Sequence, residues 1–161
     1  MRLKVITTGG TIDKVYFDEK SRFEVGDSQV REVLERSGVT FDYSVQTLFR
    51  KDSLELTDGD RRVIRETIAA DREHRLFVVT HGTDTMVETA AALRGIPDKV
   101  IVLTGSLEPS RFQGSGAIFN IGFAFGVVQT LPPGVYIAMN GRVFDSDRVR
   151  KNSELRRFEP L

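Results

Sequence analysis

Leu76-Phe77-Val78-Val79-Thr80-His81-Gly82-Thr83-Asp84-Thr85-Met86 decides the fold. Its first residues are an unbroken apolar run rich in β-branched side chains, the pattern of a strand buried on both faces of a parallel sheet. At Thr80 the character changes to Thr, Gly and Asp, the residues of a strand-to-helix turn. From there Met86, Ala90 and Leu93 fall on one helical stripe. Thr85 and Glu88 have capping-box spacing, so the helix is expected to start just past Asp84.

The same unit recurs outward from this stretch. Leu3 to Thr7 and Val100 to Thr104 are short β-branched runs that also end in Thr followed by Gly, and Asp42 to Phe49 and Gly134 to Met139 are further strands. Pro132-Pro133-Gly134 introduces the last of them. A sheet of about five strands follows. Between the strands, Asp27 or Ser28 caps a helix carrying Val30, Val33 and Leu34 and closed by Gly38. Thr57 or Asp58 opens another that turns Val63, Ile64 and Ile68 inward. A fourth helix spans Ser115 to Thr130, with a stripe of Ile118, Ile121, Phe125 and Val128 and further apolar faces at Phe119 and Phe123. Such a helix asks for burial on more than one side. Alternation of strands and helices predicts a parallel, three-layer α/β sheet. Asp13 to Glu24, polar and mixed in pattern, reads as a mobile loop.

Composition narrows the chemistry. With 161 residues, 40% apolar and 29% charged, the chain suits one globular domain. Lys plus Arg and Asp plus Glu are both 23, so there is no global field for a nucleic-acid backbone or an anionic membrane. No run approaches the ~18 apolar residues of a spanning helix, and the N-terminus shows no signal-peptide core. The expectation is a soluble, cytoplasmic protein without nucleic-acid or membrane partners. Cysteine is absent and His74 and His81 are the only histidines, so catalysis falls to hydroxyls, carboxylates and amines. No metal or cofactor is implied. His81 reads as a satisfied partner of backbone groups. His74, among charges in Asp71-Arg72-Glu73-His74-Arg75, is expected to face solvent.

In open α/β sheets ligands bind at the carboxyl ends of the strands. There lie Thr7-Thr8-Gly9-Gly10-Thr11-Ile12, Thr80 to Met86, and Thr104-Gly105-Ser106. Glycines let the backbone approach a ligand and threonines offer compact hydroxyls, although each segment also suits an ordinary turn. Gly114-Ser115-Gly116 lacks a following Lys and reads as the entry to the fourth helix rather than a phosphate loop.

Together, Thr-Gly-Gly-Thr-Ile and Thr-His-Gly-Thr-Asp-Thr-Met resemble the two signatures of the bacterial-type asparaginase and glutaminase family. The similarity continues through Lys99 to Ser110, Phe119-Asn120, and Ala138-Met139-Asn140 to Lys151. It corresponds to the family's larger N-terminal domain alone, a three-layer αβα sheet of Rossmann or flavodoxin type. The resemblance therefore implies residues 1–161 as that single domain, with the family's C-terminal domain absent.

By motif, the resemblance makes Thr11 the primary nucleophile and Thr83 the second catalytic threonine, with Asp84 and Lys151 completing the set. A threonine hydroxyl is a poor nucleophile until a neighbour takes its proton, and a lysine amine can do so. Asp84 could orient that amine and bind a substrate ammonium, and N–H groups at Thr11 and Thr83 could hold an oxyanion. Read without the family, Asp84 is a helix N-cap and Lys151 a surface cation of the basic stretch Arg148 to Arg157. Ser53 falls where the family holds the substrate α-carboxylate, and Gly10, Gly82, Thr83 and Asp84 complete the implied substrate contacts. Leu54 stands where many members carry a polar side chain for the amino-acid head group, and leucine accepts no hydrogen bond. Arg22-Phe23-Glu24-Val25-Gly26 resembles a segment that carries a catalytic tyrosine. Phe23 lacks that hydroxyl, and Tyr16 is the residue placed to supply one.

These readings lead to an amidohydrolase that hydrolyses a small carboxamide, asparagine or a relative, to the acid and ammonia through a threonine nucleophile. The alternatives are a non-catalytic amino-acid or amide-binding module and, less consistent with the loop after the first strand, a nucleotide-binding protein of flavodoxin-like shape. The surplus of Phe119, Phe123 and Phe125 predicts a homodimer or higher homo-oligomer.

Overall fold

The computed structural model describes residues 2–17, 22–25, 28–107 and 116–161; side chains at 15–17 and 22–25 lie outside the description. Five parallel strands form the body of the sheet: β1 (Arg2–Gly9), β4 (Asp42–Lys51), β5 (Leu76–Thr80), β6 (Val100–Thr104) and β7 (Gly134–Met139). A sixth strand, β8 (Arg142–Asp145), adds antiparallel to β7, giving the order β4-β1-β5-β6-β7-β8. Counting the parallel strands alone, the order is 2-1-3-4-5. The chain reverses its direction of winding between β1 and β5, which opens a crevice at their carboxyl ends.

Two apolar layers cover the sheet. Helices α2 (Asp58–Ala70) and α3 (Met86–Leu93) pack Ile64, Ile68, Met86, Ala90 and Leu93 onto Ile6, Phe77, Val79 and Leu103. Helices α1 (Val30–Arg36) and α4 (Ala117–Val128) cover the other face, where Val30, Leu34, Ile121 and Phe125 join Leu3, Val5, Val78 and Val102. Residues 76–80 and 100–104 are buried throughout, as strands covered on both sides must be.

The parallel strands and the places of the four helices agree with the sequence reading, and several local expectations do not. The Asp13 to Glu24 segment is a hairpin over its described residues, not a loop: β2 (Lys14–Phe17) pairs antiparallel with β3 (Arg22–Val25). The alternation in Arg22-Phe23-Glu24-Val25 is the strand signal there. The edge strand β8 follows from Asn140-Gly141, whose φ values of 53° and 78° make the two-residue turn that Asn-Gly favours. A third hairpin, β9 (Val149–Asn152) with β10 (Arg157–Pro160), follows.

Val63 is 43% exposed, because the inward stripe of α2 is Arg61, Ile64 and Ile68, one position out of phase with it. Ile118 is likewise exposed: the small Ala117 and Ala124 face the sheet and turn Ile118 outward. The capping box at Thr85 and Glu88 does not form, since the Thr85 hydroxyl instead donates to the Ser53 carbonyl at 2.7 Å. At α1 the Gln29 N–H is held by the Asp13 carboxylate at 3.1 Å, a partner supplied from the Thr11–Asp13 turn across the β2–β3 hairpin. Asp27, expected as a cap, and Gly114-Ser115, expected at the entry to α4, lie outside the described residues. Among the described residues no helix is long and apolar enough to cross a membrane.

Candidate active site

Three strand-end segments converge at the crevice. After β1 the chain passes Gly10 at φ +92° and forms a 3-10 turn over Thr11–Asp13. The Gly10 N–H donates to the Lys51 carbonyl at 2.9 Å. A Cβ on Gly10 would lie 2.4 Å from the Gly82 nitrogen, and one on Gly82 would lie 2.5 Å from Ser53 Oγ. Only hydrogen at these two positions lets the Thr11 turn, the Thr83 loop and the Ser53 turn stack so closely.

Ser53 opens a 3-10 turn, Ser53–Glu55, capped by Asp52, whose carboxylate accepts from the Leu54 N–H at 3.2 Å and pairs with Lys14 Nζ at 2.8 Å. That ion pair ties the base of the β2–β3 hairpin to the Ser53 turn. Ser53 is 1% exposed, and among the described residues its Oγ has no hydrogen-bond partner. Leu54, the next residue, is 73% exposed.

The Thr83 loop carries the polar cluster. Lys151 on β9 donates to Thr83 Oγ1 at 2.9 Å and to Asp84 Oδ1 at 2.6 Å. Thr83 is buried, the Lys151 side chain is 15% exposed, and that of Asp84 is half exposed. Lys151 is thus no free surface cation, and Asp84 does not cap α3, because its carboxylate is engaged by the amine and Thr85 occupies the cap position. An amine, a hydroxyl and a carboxylate in contact can pass a proton along the line Thr83, Lys151, Asp84.

Behind the loop runs a chain of buried donors that the sequence reading did not include. Arg61 Nε donates to Thr89 Oγ1 at 3.2 Å, Thr89 contacts His81 Nε2 at 2.7 Å, and His81 Nδ1 contacts the Gly82 carbonyl at 2.7 Å. A carbonyl only accepts, so Nδ1 bears the hydrogen, Nε2 is the acceptor, and the Thr89 hydroxyl donates to it. Burial, with a smaller contribution from the Arg61 charge, pushes the His81 pKa down to about 4. The neutral ring fixes the Gly82–Thr83 peptide, in keeping with its expected backbone role. Arg61 and Thr89 lie on different helices, α2 and α3, and no local pattern reveals their meeting.

The remaining expected residues divide. Thr11 is half-buried on its turn beside Gly10. Tyr16 stands opposite Phe23 in the backbone register of the β2–β3 hairpin, while the reach of its side chain lies outside the described residues. His74 does not face solvent. Its side chain is 11% exposed and contacts Asp71 and Ser44 at the other end of the sheet.

The model of the asparaginase N-terminal family matches residues 2–158. The chain is 30% identical over 158 residues to the L-asparaginase of Thermococcus kodakarensis, covering 94% of this chain and 48% of that protein. It is 32% identical over 162 residues to the L-asparaginase of Bacillus licheniformis, covering 93% and 49%. Among solved structures, the thermostable L-asparaginase of T. kodakarensis superposes with a TM-score of 0.84 at 26% identity, over 100% of this chain and 51% of that one. L-asparaginase I of Vibrio cholerae superposes with a TM-score of 0.85 at 26% identity, over 99% and 51%. The chain spans about half the length of the curated relatives it matches.

Proposed function

The chain belongs to the asparaginase family, matching its N-terminal domain, and from that membership we propose that it hydrolyses a small carboxamide, asparagine or a relative, to the acid and ammonia through a threonine nucleophile. The observation that carries this reading is the contact of Lys151 Nζ with both Thr83 Oγ1 and Asp84 Oδ1 beside the Thr11 turn. In the resting geometry the amine donates to both oxygens. To act as a base it hands a proton on, and the Asp84 carboxylate is the acceptor in contact with it; the amine then takes the Thr83 proton.

In this mechanism Thr11 attacks the amide carbonyl, its oxygen–carbon bond forming as its proton passes through the Thr83 hydroxyl to Lys151, and the tetrahedral oxyanion is held by N–H groups of the Thr11 and Thr83 segments. The carbon–nitrogen bond breaks as the nitrogen takes that proton back from Lys151 through Thr83 and departs as ammonia; water, giving its proton to Lys151 through Thr83, then attacks the acyl-threonine, and the Thr11 oxygen leaves with the returned proton. Tyr16 supplies the phenol hydroxyl that Phe23 lacks, a role supported by their opposed register. Ser53 Oγ, without a partner among the described residues, is the hydrogen-bonding group for the substrate carboxylate. Gly10 and Gly82 admit the substrate to the backbone, and Leu54 gives the pocket an apolar edge in place of a head-group acceptor.

The exposed Leu54 and the missing Phe23 hydroxyl favour one second reading, an amide-binding module without turnover. An ammonia-release screen over Asn, Gln, N-acylated asparagine and simple carboxamides separates the two: release that depends on Thr11 supports hydrolysis, whereas binding without release supports the module. The exposed Ile118 and Phe119 on α4, where the Phe119 and Phe123 rings stack at 6.2 Å, support a homo-oligomer that covers this face.

A further inference from the structure

At the amino ends of the strands, opposite the crevice, Ser44 on β4 lies 3.3 Å from His74 Nε2, and His74 Nδ1 lies 3.0 Å from both oxygens of Asp71. These residues border a cleft of about 390 Å³ lined by Arg2, Asp42, Tyr43, Ser44, Glu73 and His74. We propose that Ser44, His74 and Asp71 form a second nucleophilic site, in which Ser44 is acylated by small uncharged aryl or alkyl esters.

The geometry assigns each partner a distinct part. A carboxylate beside Nδ1 requires the hydrogen to sit on Nδ1, so in the neutral ring the Nε2 lone pair faces the Ser44 hydroxyl. The imidazole is held in that pose. Asp71 Oδ1 accepts from the His74 N–H at 2.8 Å and from the Glu73 N–H at 2.9 Å, Lys99 Nζ donates to the His74 carbonyl at 2.6 Å, and the Phe77 ring meets the imidazole edge-on at 6.3 Å. Asp71 stays ionised: burial opposes its charge, but the His74 and Glu73 N–H groups, Lys4 at 3.0 Å and the His74 ring outweigh it and hold the carboxyl below the usual range. Asp71 and His74 are nearly enclosed, with side chains 8% and 11% exposed, while Ser44 opens onto the cleft. A purely space-filling polar pair has no need of an oriented tautomer aimed at a hydroxyl.

The cleft chemistry selects the acyl donor. Asp42 and Glu73 outnumber Arg2, which disfavours anionic substrates, and Tyr43 offers an apolar surface to a flat group. In the reaction Ser44 Oγ bonds to the ester carbonyl carbon as its proton moves to His74 Nε2. The Arg2 guanidinium, which lines the same cleft and lies 3.9 Å from Glu73, is the positive group available to the oxyanion. The ester carbon–oxygen bond then breaks, the alcohol leaves with the proton from His74, and water deprotonated by His74 releases the acid and restores Ser44.

The test treats the full chain with a fluorophosphonate probe, maps the modified residue by mass spectrometry, and follows hydrolysis of p-nitrophenyl acetate. Phosphonylation is expected at Ser44, persisting in Thr11→Val, and Ser44→Ala is expected to lower ester hydrolysis about a hundredfold while leaving ammonia release unchanged. His74→Gln should lower the labelling rate by a similar factor in protein whose circular dichroism is unaltered. Labelling of Thr11 alone, equal esterase rates in wild type and Ser44→Ala, or undiminished labelling of folded His74→Gln overturns the proposal. Because these readouts do not pass through the crevice, loss or absence of amidase activity leaves them independent.

Discussion

Lys151 and Thr83, 68 positions apart in sequence, are joined at 2.9 Å by a hydrogen bond from the amine to the hydroxyl. The contact exists because β9 and β10 form a hairpin that carries Lys151 back over the loop after β5. The amine reaches Asp84 in the same pose, so one side chain bridges the hydroxyl and the carboxylate of the proposed reaction.

Thr83→Val, Lys151→Met and Thr11→Val should each lower ammonia release about a hundredfold or more while retaining the fold, since each keeps most of the side-chain volume and removes one polar group. Steady-state kinetics with far-UV circular dichroism checks this. Wild-type turnover in folded Lys151→Met removes the amine from the mechanism.

Leu54 is 73% exposed beside the buried Ser53 hydroxyl and cannot accept from an ammonium. Amides without a free α-amino group should therefore match or exceed free L-asparagine in kcat/KM. The comparison is L-asparagine against its N-acetyl form. A strong preference for the free amino acid would assign head-group recognition to Asp84 alone.

Asp13 is 1% exposed, and burial, opposed by hydrogen bonds from Gln29 and Ser28, pushes its pKa up from 3.8 to about 6. Between those values the folded state binds more proton than the unfolded one. This group's contribution to stability therefore falls as pH rises from about 4 to about 6, by about 3 kcal/mol in total. Asp13→Asn keeps an acceptor for the Gln29 N–H without the charge. The variant should melt higher than wild type at pH 7.5, and the difference should shrink toward pH 4 in thermal denaturation. A constant difference across that range contradicts the assignment.

With its pKa lowered to about 4, His81 should stay neutral from pH 8 to pH 5, with the hydrogen on Nδ1. Its imidazole NMR signals should not titrate in that interval. Thr89→Val removes the hydroxyl between Arg61 and His81 and should cost about 1–3 kcal/mol in urea denaturation, because it leaves buried polar atoms without partners.

Phe119 is 60% exposed and stacks on Phe123, with Ile118 exposed beside it. Light scattering of the wild-type protein at micromolar concentration should give a dimer or larger species, and Phe119→Glu should give soluble monomers. A wild-type monomer excludes this face as a self-association surface.

What the sequence determined by itself is what local periodicity encodes. Unbroken apolar runs mark strands covered on both faces, so Leu76–Thr80, Val100–Thr104 and Gly134–Met139 stand at the expected positions. Placement of Thr11 and Thr83 at strand ends follows from that alternation, because every parallel strand in one sheet ends on the same side, whereas Ser53 is singled out only by the family resemblance. The Asn140-Gly141 turn that leads into β8 carries a local signal of the same kind, which the sequence reading passed over. The phase of a helix was less legible. Val63 and Ile118 lie beside the buried stripes, and which apolar residue turns outward depends on how closely the neighbouring layer approaches. Tertiary structure alone decided the pairing of Lys151 with Thr83, the line from Arg61 through Thr89 to His81, and the burial of His74 against Asp71 and Ser44. Apart from the short Asp71–His74 step, each joins side chains from different elements whose separation in sequence has no period, so it becomes defined only when sheet register and helix packing fix both partners in space.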